Sequence, residues 1–129
     1  MRTIKLMTDA SFDESSRQAR VAMVALWDGQ RRLALTRSLD GLDCSAQAEY
    51  EAAAWAVQYL LDQGLAGCRL RLCTDHQPLW RELFGLNAPP RKSRLLRAFQ
   101  RLRQALQRFR AFECEWIPRA LNEADALMR

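Results

Sequence analysis

Apolar and polar residues alternate in the first forty positions, and the period then lengthens. Over Arg2–Thr8, Ile4, Leu6 and Thr8 point one way and Lys5 and Met7 the other, which predicts a strand. Asp13–Arg17 is polar and turn-like. Ala19–Trp27 is rich enough in β-formers for a second strand, Asp28-Gly29 is a hairpin signal, and Arg31–Leu39 follows as a third, antiparallel strand. In Ser45–Gln63, Ala53, Ala56 and Leu60 share a face with Glu49. That spacing predicts a helix of about five turns, ended by Gly64 and Gly67. Cys68–Thr74 alternates again. A helix between two strands implies a crossover, so this fourth strand should run parallel to an earlier one.

Gln77–Phe84 predicts a short helix and Asn87-Ala88-Pro89-Pro90 an internal loop. Ser93–Ala111 predicts a long helix, with Leu95, Phe99, Leu102, Leu106 and Phe109 in one narrow apolar stripe. Arg94, Arg97, Arg101 and Arg108 gather within about 60° of one another on its other side. Phe112–Ile117 reads as a fifth strand and Leu121–Arg129 as a last short helix with Asn122 as a possible cap. The order βββαβααβα defines an α/β fold: a mixed five-stranded sheet, three antiparallel strands then parallel ones, flanked by helices.

The length of 129 residues and the 49% hydrophobic content fit a single domain over 1–129 that can bury its own core. A disordered chain is excluded, and no apolar run approaches the ~18–20 residues of a membrane span. No secretory leader is visible. Cys44, Cys68, Cys73 and Cys114 form no C-x-x-C pair, so they read as reduced thiols in a cytoplasmic protein. Charge matters once it is located. The net +5 comes from 20 basic and 15 acidic residues, and Arg91–Arg110 holds eight basic residues and no acid. The rest of the chain is net acidic. A one-signed helix face of this kind is either a solvated surface or a clamp on a phosphate backbone, through Arg94, Arg97 and Arg101. The apolar stripe could also seed a homodimer, but the sheet needs a helix cover, which favours a monomer.

Four carboxylates stand apart from the solvated ones. Asp9 follows the first strand, Glu49 lies on the apolar face of the first long helix, Asp75 is the first residue past the fourth strand, and Asp125 is flanked by Ala124, Ala126 and Leu127. If strands one and four are parallel neighbours, Asp9 and Asp75 emerge side by side. Like charges so close are costly unless a cation lies between them. Hard oxygen ligands without His or Cys select Mg²⁺ or Mn²⁺, and two such ions about 4 Å apart can drive phosphodiester hydrolysis.

These residues carry a resemblance. Thr8-Asp9-Ala10-Ser11-Phe12 resembles the T-D-G-S motif of type 1 ribonucleases H, and Ala48-Glu49-Tyr50-Glu51-Ala52 resembles their A-E-Y-x-A helix start. Thr74-Asp75-His76-Gln77 resembles [ST]-D-S-Q, and Asn122-Glu123-Ala124-Asp125-Ala126-Leu127 resembles N-x-x-A-D-x-L. The motifs occur in the family's order from Thr8 to Leu127, and the segments Thr74–Leu79 and Asn122–Arg129 look most like the ribonuclease H domains of retroelement reverse transcriptases. The resemblance implies a ribonuclease H-like fold and a metal-dependent endonuclease acting on the RNA strand of RNA–DNA hybrids, with two ions per site. Asp9 would bridge both ions, Glu49 and Asp75 would complete the water-activating site, and Asp125 the leaving-group site.

It further implies substrate contacts at Ala10, Ser11, Phe12, Ser45 and Gln77. Ala10 stands where the family has Gly, and Ser45-Ala46 where it often has an Asn pair, positions that help read 2′-hydroxyls. Arg119 is the nearest basic group where many members carry a mobile His. The single His76, beside Asp75, is an auxiliary group or a local hydrogen-bonding side chain. The alternatives are a nuclease of the same fold acting on other nucleic acid, and a non-catalytic binding module.

Overall fold

The computed structural model describes residues 2–129. Strands β1 (Thr3–Asp13), β2 (Gln18–Trp27) and β3 (Gln30–Leu39) form a meander. Helix α1 (Ser45–Asp62) crosses to β4 (Arg69–Thr74). Helices α2 (Gln77–Leu83) and α3 (Ser93–Gln107), strand β5 (Ala111–Trp116), a 3-10 turn (Arg119–Leu121) and α4 (Glu123–Leu127) complete the order. The sheet runs β3-β2-β1-β4-β5. Strands β1, β2 and β3 pair antiparallel, whereas β4 lies parallel to both β1 and β5, as the crossover argument requires.

The β2–β3 turn follows from its residues. Asp28 (φ 55°) and Gly29 (φ 70°) both adopt the left-handed conformation that a two-residue hairpin loop needs. Helix α1 ends at Gly64 (φ 81°), where the Leu65 N–H donates to the Leu60 carbonyl and the Gly64 N–H to that of Leu61. This left-handed cap satisfies carbonyls that the helix leaves open.

One sheet face, with Ile4, Leu6, Met23, Leu70 and Leu72, is buried under α1 and α3 through Val57, Leu60, Phe99, Leu102 and Leu106. The apolar stripe of α3 is therefore spent on α1 and the sheet. The other face, with Met7, Ala22, Val24 and Cys73, packs on Ile117 and on Ala124 of α4.

Three elements differ from the sequence reading by more than one residue. β1 runs on to Asp13, because β2 pairs with it as far as Asp13↔Gln18; this pairing outweighs the poor strand propensity of Asp9-Ala10-Ser11. α3 stops at Gln107 rather than Ala111. Arg110 N–H is drawn to the Ala66 carbonyl and Ala111 into register with Arg69 of β4. The last helix starts at Glu123, since Leu121 closes the 3-10 turn, and Asn122 caps it by accepting from the Ala124 N–H at 3.0 Å.

Candidate active site

Parallel pairing of β1 with β4 ends at Met7↔Cys73, but β1 continues beside β2. Past that point, among the described residues, β1 has no strand partner on the β4 side. Asp9 lies there, two residues beyond the last parallel pair, and Asp75 is the first residue after β4. Ligand sites of α/β sheets characteristically form at the carboxyl ends of parallel strands. Glu49, in the second turn of α1, joins them, and carboxylate oxygens of Asp9, Glu49 and Asp75 lie within 4.8 Å of one another. Asp9 is 2% and Glu49 8% exposed.

The surroundings hold these groups without neutralising them. The Ala10 N–H donates to Glu49 Oε1 at 3.1 Å. Asn122 Nδ2 donates to Asp75 Oδ2 at 3.1 Å and to the Thr8 carbonyl at 3.0 Å. Among the described residues none of the three acids enters an ion pair. Asp9 Oδ1 is buried with no hydrogen-bond partner. Burial, reinforced by the Asp75 charge, pushes the Asp9 carboxyl up to about 7. Burial, reinforced by Asp9 and Asp75, pushes Glu49 up to about 9. A buried, unpartnered oxygen amid three unneutralised carboxylates fits a hard divalent cation.

The fourth predicted ligand, Asp125, lies within hydrogen-bonding reach of Asp9. Its carboxylate is held by Arg129, with Nε at 3.1 Å, and by Arg119 at 3.6 Å. The hydrogen bond from Arg129 keeps it below the usual carboxylate range. The structure thus unites three of the four acids and sets the fourth beside them, paired with arginines.

The remaining candidates spread around this cluster. Ala10, Ser11 and Phe12 continue β1 beyond Asp9, Ser45 opens α1, and the exposed Gln77 opens α2. His76 precedes α2 without capping it through its side chain. Its backbone N–H donates to Thr74 Oγ1 at 3.1 Å, its Nε2 is buried and unpartnered, and burial lowers its pKa. On α3, Arg94 bonds Asp43 at 2.9 Å and the Gly41 carbonyl at 2.7 Å, and Arg101 pairs with Glu51. The acid-free segment is therefore partly compensated by acids of the β3–α1 loop and α1. Arg97 enters no ion pair among the described residues.

Two participants escaped the sequence reading. Asn122, 2% exposed, was visible only as a cap, although its place in the N-x-x-A-D-x-L motif marked it. Arg129 stands four residues after Asp125, the spacing that brings side chains together on a helix.

The family model described as reverse transcriptase-like matches residues 7–128. No curated protein matches the chain. Among solved structures, RNase H1 of the halophilic archaeon Halobacterium salinarum NRC-1 is 28% identical, with a TM-score of 0.86 over 97% of this chain and 93% of that one. The N-terminal RNase H domain of a Mycobacterium tuberculosis protein superposes with a TM-score of 0.85 at 18% identity, covering 98% and 91%. LC11-RNase H1, in complex with an RNA/DNA hybrid, gives 0.84 at 22%, covering 96% and 92%.

Proposed function

We propose, since the chain belongs to the reverse transcriptase-like family and has the ribonuclease H fold, that it is a monomeric, cytoplasmic, metal-dependent ribonuclease H. Its substrate is the RNA strand of RNA–DNA hybrids, cleaved to leave 5′-phosphate and 3′-hydroxyl ends. The observation that carries this reading is the meeting of Asp9, Glu49 and Asp75 within 4.8 Å where β1 and β4 part. The hybrid as substrate draws support from LC11-RNase H1, which shares the fold and is complexed with one.

Asp9, Glu49 and Asp75 would hold one divalent ion, and Asp9 with Asp125 a second. Mg²⁺ or Mn²⁺ bound there supplies Lewis acidity, making water a nucleophile and stabilising the leaving oxygen. The protein's own contribution is preorganisation. The Ala10 N–H fixes Glu49 and the Asn122 amide fixes Asp75, so neither carboxylate must be ordered during the reaction. Burial of Asp9 and Glu49 excludes bulk water from between them. Asp125 would hold its ion once released from Arg129 and Arg119, which would leave Arg119 available at the leaving-group side. Ser11, Phe12, Ser45 and Gln77 contact the RNA strand around the acids, and Arg94, Arg97 and Arg101 meet phosphates farther along α3.

A cleavage panel of hybrid, duplex RNA, duplex DNA and single strands tests the proposal. Cleavage of the hybrid alone, falling at least about a thousandfold (about 4 kcal/mol in the barrier) in Asp9→Asn and Asp75→Asn, is expected. Undiminished turnover in those variants would remove the assignment. Equal cleavage of the other substrates would favour the broader nuclease reading that Ala10 and Ser45-Ala46 permit.

A further inference from the structure

Away from the acids, α1 presents a second face to a cleft of about 700 Å³ walled by β3 and α3. The floor is formed by Trp55 and Tyr59, one turn apart on α1. Each packs on the hydrophobic core and is partly buried, so the rings are rigid. Arg37 of β3 rises on one side, and Arg101 and Gln104 of α3, with Arg108 just past its end, on the other. Leu39, Glu51 and Arg101 also line an adjoining recess of about 330 Å³, which carries the groove on to Arg97 and Arg94 and to Gln47 near the N-terminal end of α1. Glu49 lies at that same end.

Of the acids along the groove, Asp40 at the adjoining recess enters no ion pair among the described residues, and the other two are bonded within the protein. Glu51 pairs with Arg101, and Asp62 accepts from Gln58 at 2.8 Å. Among the described residues Arg37, Arg97 and Arg108 enter no ion pair. Rigid aromatic faces flanked by uncommitted guanidinium groups are the chemistry of single-stranded nucleic-acid binding: bases stack, phosphates pair, and no base edge is read. Spacing favours a single strand over a duplex. Residues four apart on a helix are separated by about 6 Å along its axis, more than the 3.4 Å step of a stacked strand, so the rings suit splayed bases. Beyond Arg101, the last of the arginines assigned to the hybrid, the groove follows α3 to Arg108 for about 10 Å, enough for about two extended nucleotides.

We infer that the groove between β3, α1 and α3 binds a single-stranded segment of nucleic acid, stacked on Trp55 and Tyr59 and held by Arg37 and Arg108. It would lead away from the acidic cluster and hold the unpaired tail that adjoins a duplex there. That link to catalysis rests on the ribonuclease H reading; the binding itself does not.

The test is fluorescence anisotropy with a labelled 12-nucleotide oligothymidylate, titrated with protein in EDTA so that the acidic cluster holds no metal. Arg37→Ala/Arg108→Ala should weaken binding at least fivefold and flatten the slope of log Kd against log salt by about 1.4, two phosphate contacts' worth for a single strand. Trp55→Leu should weaken binding at least fivefold with the slope unchanged, since stacking is not ionic, and Trp55→Phe should restore most of it. On blunt hybrid the arginine variant should keep its cleavage rate, while losing any preference for hybrids with a single-stranded tail.

Wild-type binding and slope in the arginine variant would overturn the inference. So would loss of blunt-hybrid cleavage in it, which would make the groove part of the duplex track. Displacement of the oligonucleotide by thymidine 5′-monophosphate at equal nucleotide concentration would replace the strand with a free nucleotide. A wild-type protein that cleaves no hybrid but shows the expected binding pattern would sink the enzyme reading and leave the groove standing.

Discussion

Asp9 and Glu49 tie stability to pH in the metal-free protein. Folded, they keep their protons up to about pH 7 and about pH 9, whereas in the unfolded chain both ionise near pH 4. Between those limits the unfolded state has released protons that the folded state retains, so raising the pH favours unfolding. Stability in EDTA should therefore decline as pH rises from about 4 through 7 to 9, and Mg²⁺ should restore it at pH 8; urea midpoints at pH 5 and pH 8 read both effects. Asp9→Asn should abolish cleavage and yet stabilise the metal-free protein at pH 8 by on the order of 1 kcal/mol, because it removes a buried charge. Such a gain alongside lost function would mark Asp9 as a residue kept for chemistry. Asp9 and Asp75 could be placed from sequence because the pattern sets each just past one of two strands expected to be parallel. Asp75 does follow β4, whereas Asp9 lies within β1, two residues past its last pair with β4. Asn122 could not be placed fully: its bond to Asp75 joins residues 47 positions apart, and no local pattern encodes that contact.

Two small tethers hold the elements that carry the acids. Helix α4 is only five residues long, and Asn122 caps it while its amide reaches across to β1 and to Asp75. Asn122→Ala should cost about 2–3 kcal/mol in urea unfolding, combining a lost cap with a buried carbonyl left unpaired. It should also raise the Mg²⁺ concentration needed for half-maximal cleavage, a readout that a purely structural cap would leave unchanged. The second tether joins α1 to α2. Tyr50, fully buried and set edge-on to Phe99, donates its hydroxyl to Glu82, and burial raises its pKa so that it remains a donor. Tyr50→Phe should cost about 1 kcal/mol by the same measurement. Element types and order were legible because hydrophobic period alone distinguishes strand from helix in this chain. Boundaries failed where a neighbour decides them. β1 is prolonged by β2, and the end of α3 is pulled straight by β4, at residues whose own propensities point the other way.

At the scale of the whole molecule, basic charge is concentrated on α3 while the acids cluster at the end of the parallel strands, a division suited to a polyanion that must also approach a metal site. The sequence shows the concentration but not its compensation, since Asp43 and Glu51 belong to other elements. Arg94 and Arg101 are committed to those acids and Arg97 is not. The three arginines should therefore contribute unequally to hybrid binding. Each phosphate neutralised by a free guanidinium contributes about 0.9 to the slope of log Kd against log salt on a duplex. Arg97→Ala should remove about that much. Arg94→Ala and Arg101→Ala should each remove less, because a guanidinium already paired brings little net charge to the phosphate and its loss frees a carboxylate nearby. The triple variant should lose between about one and three units, its place in that range reporting how far the ion pairs open on binding. Anisotropy with a labelled hybrid, in Asp9→Asn so that the RNA strand stays intact, measures all four slopes. Equal losses from the three single variants would show that the ion pairs dissolve completely on binding, and no change in any of them would make α3 a structural helix whose arginines face only solvent.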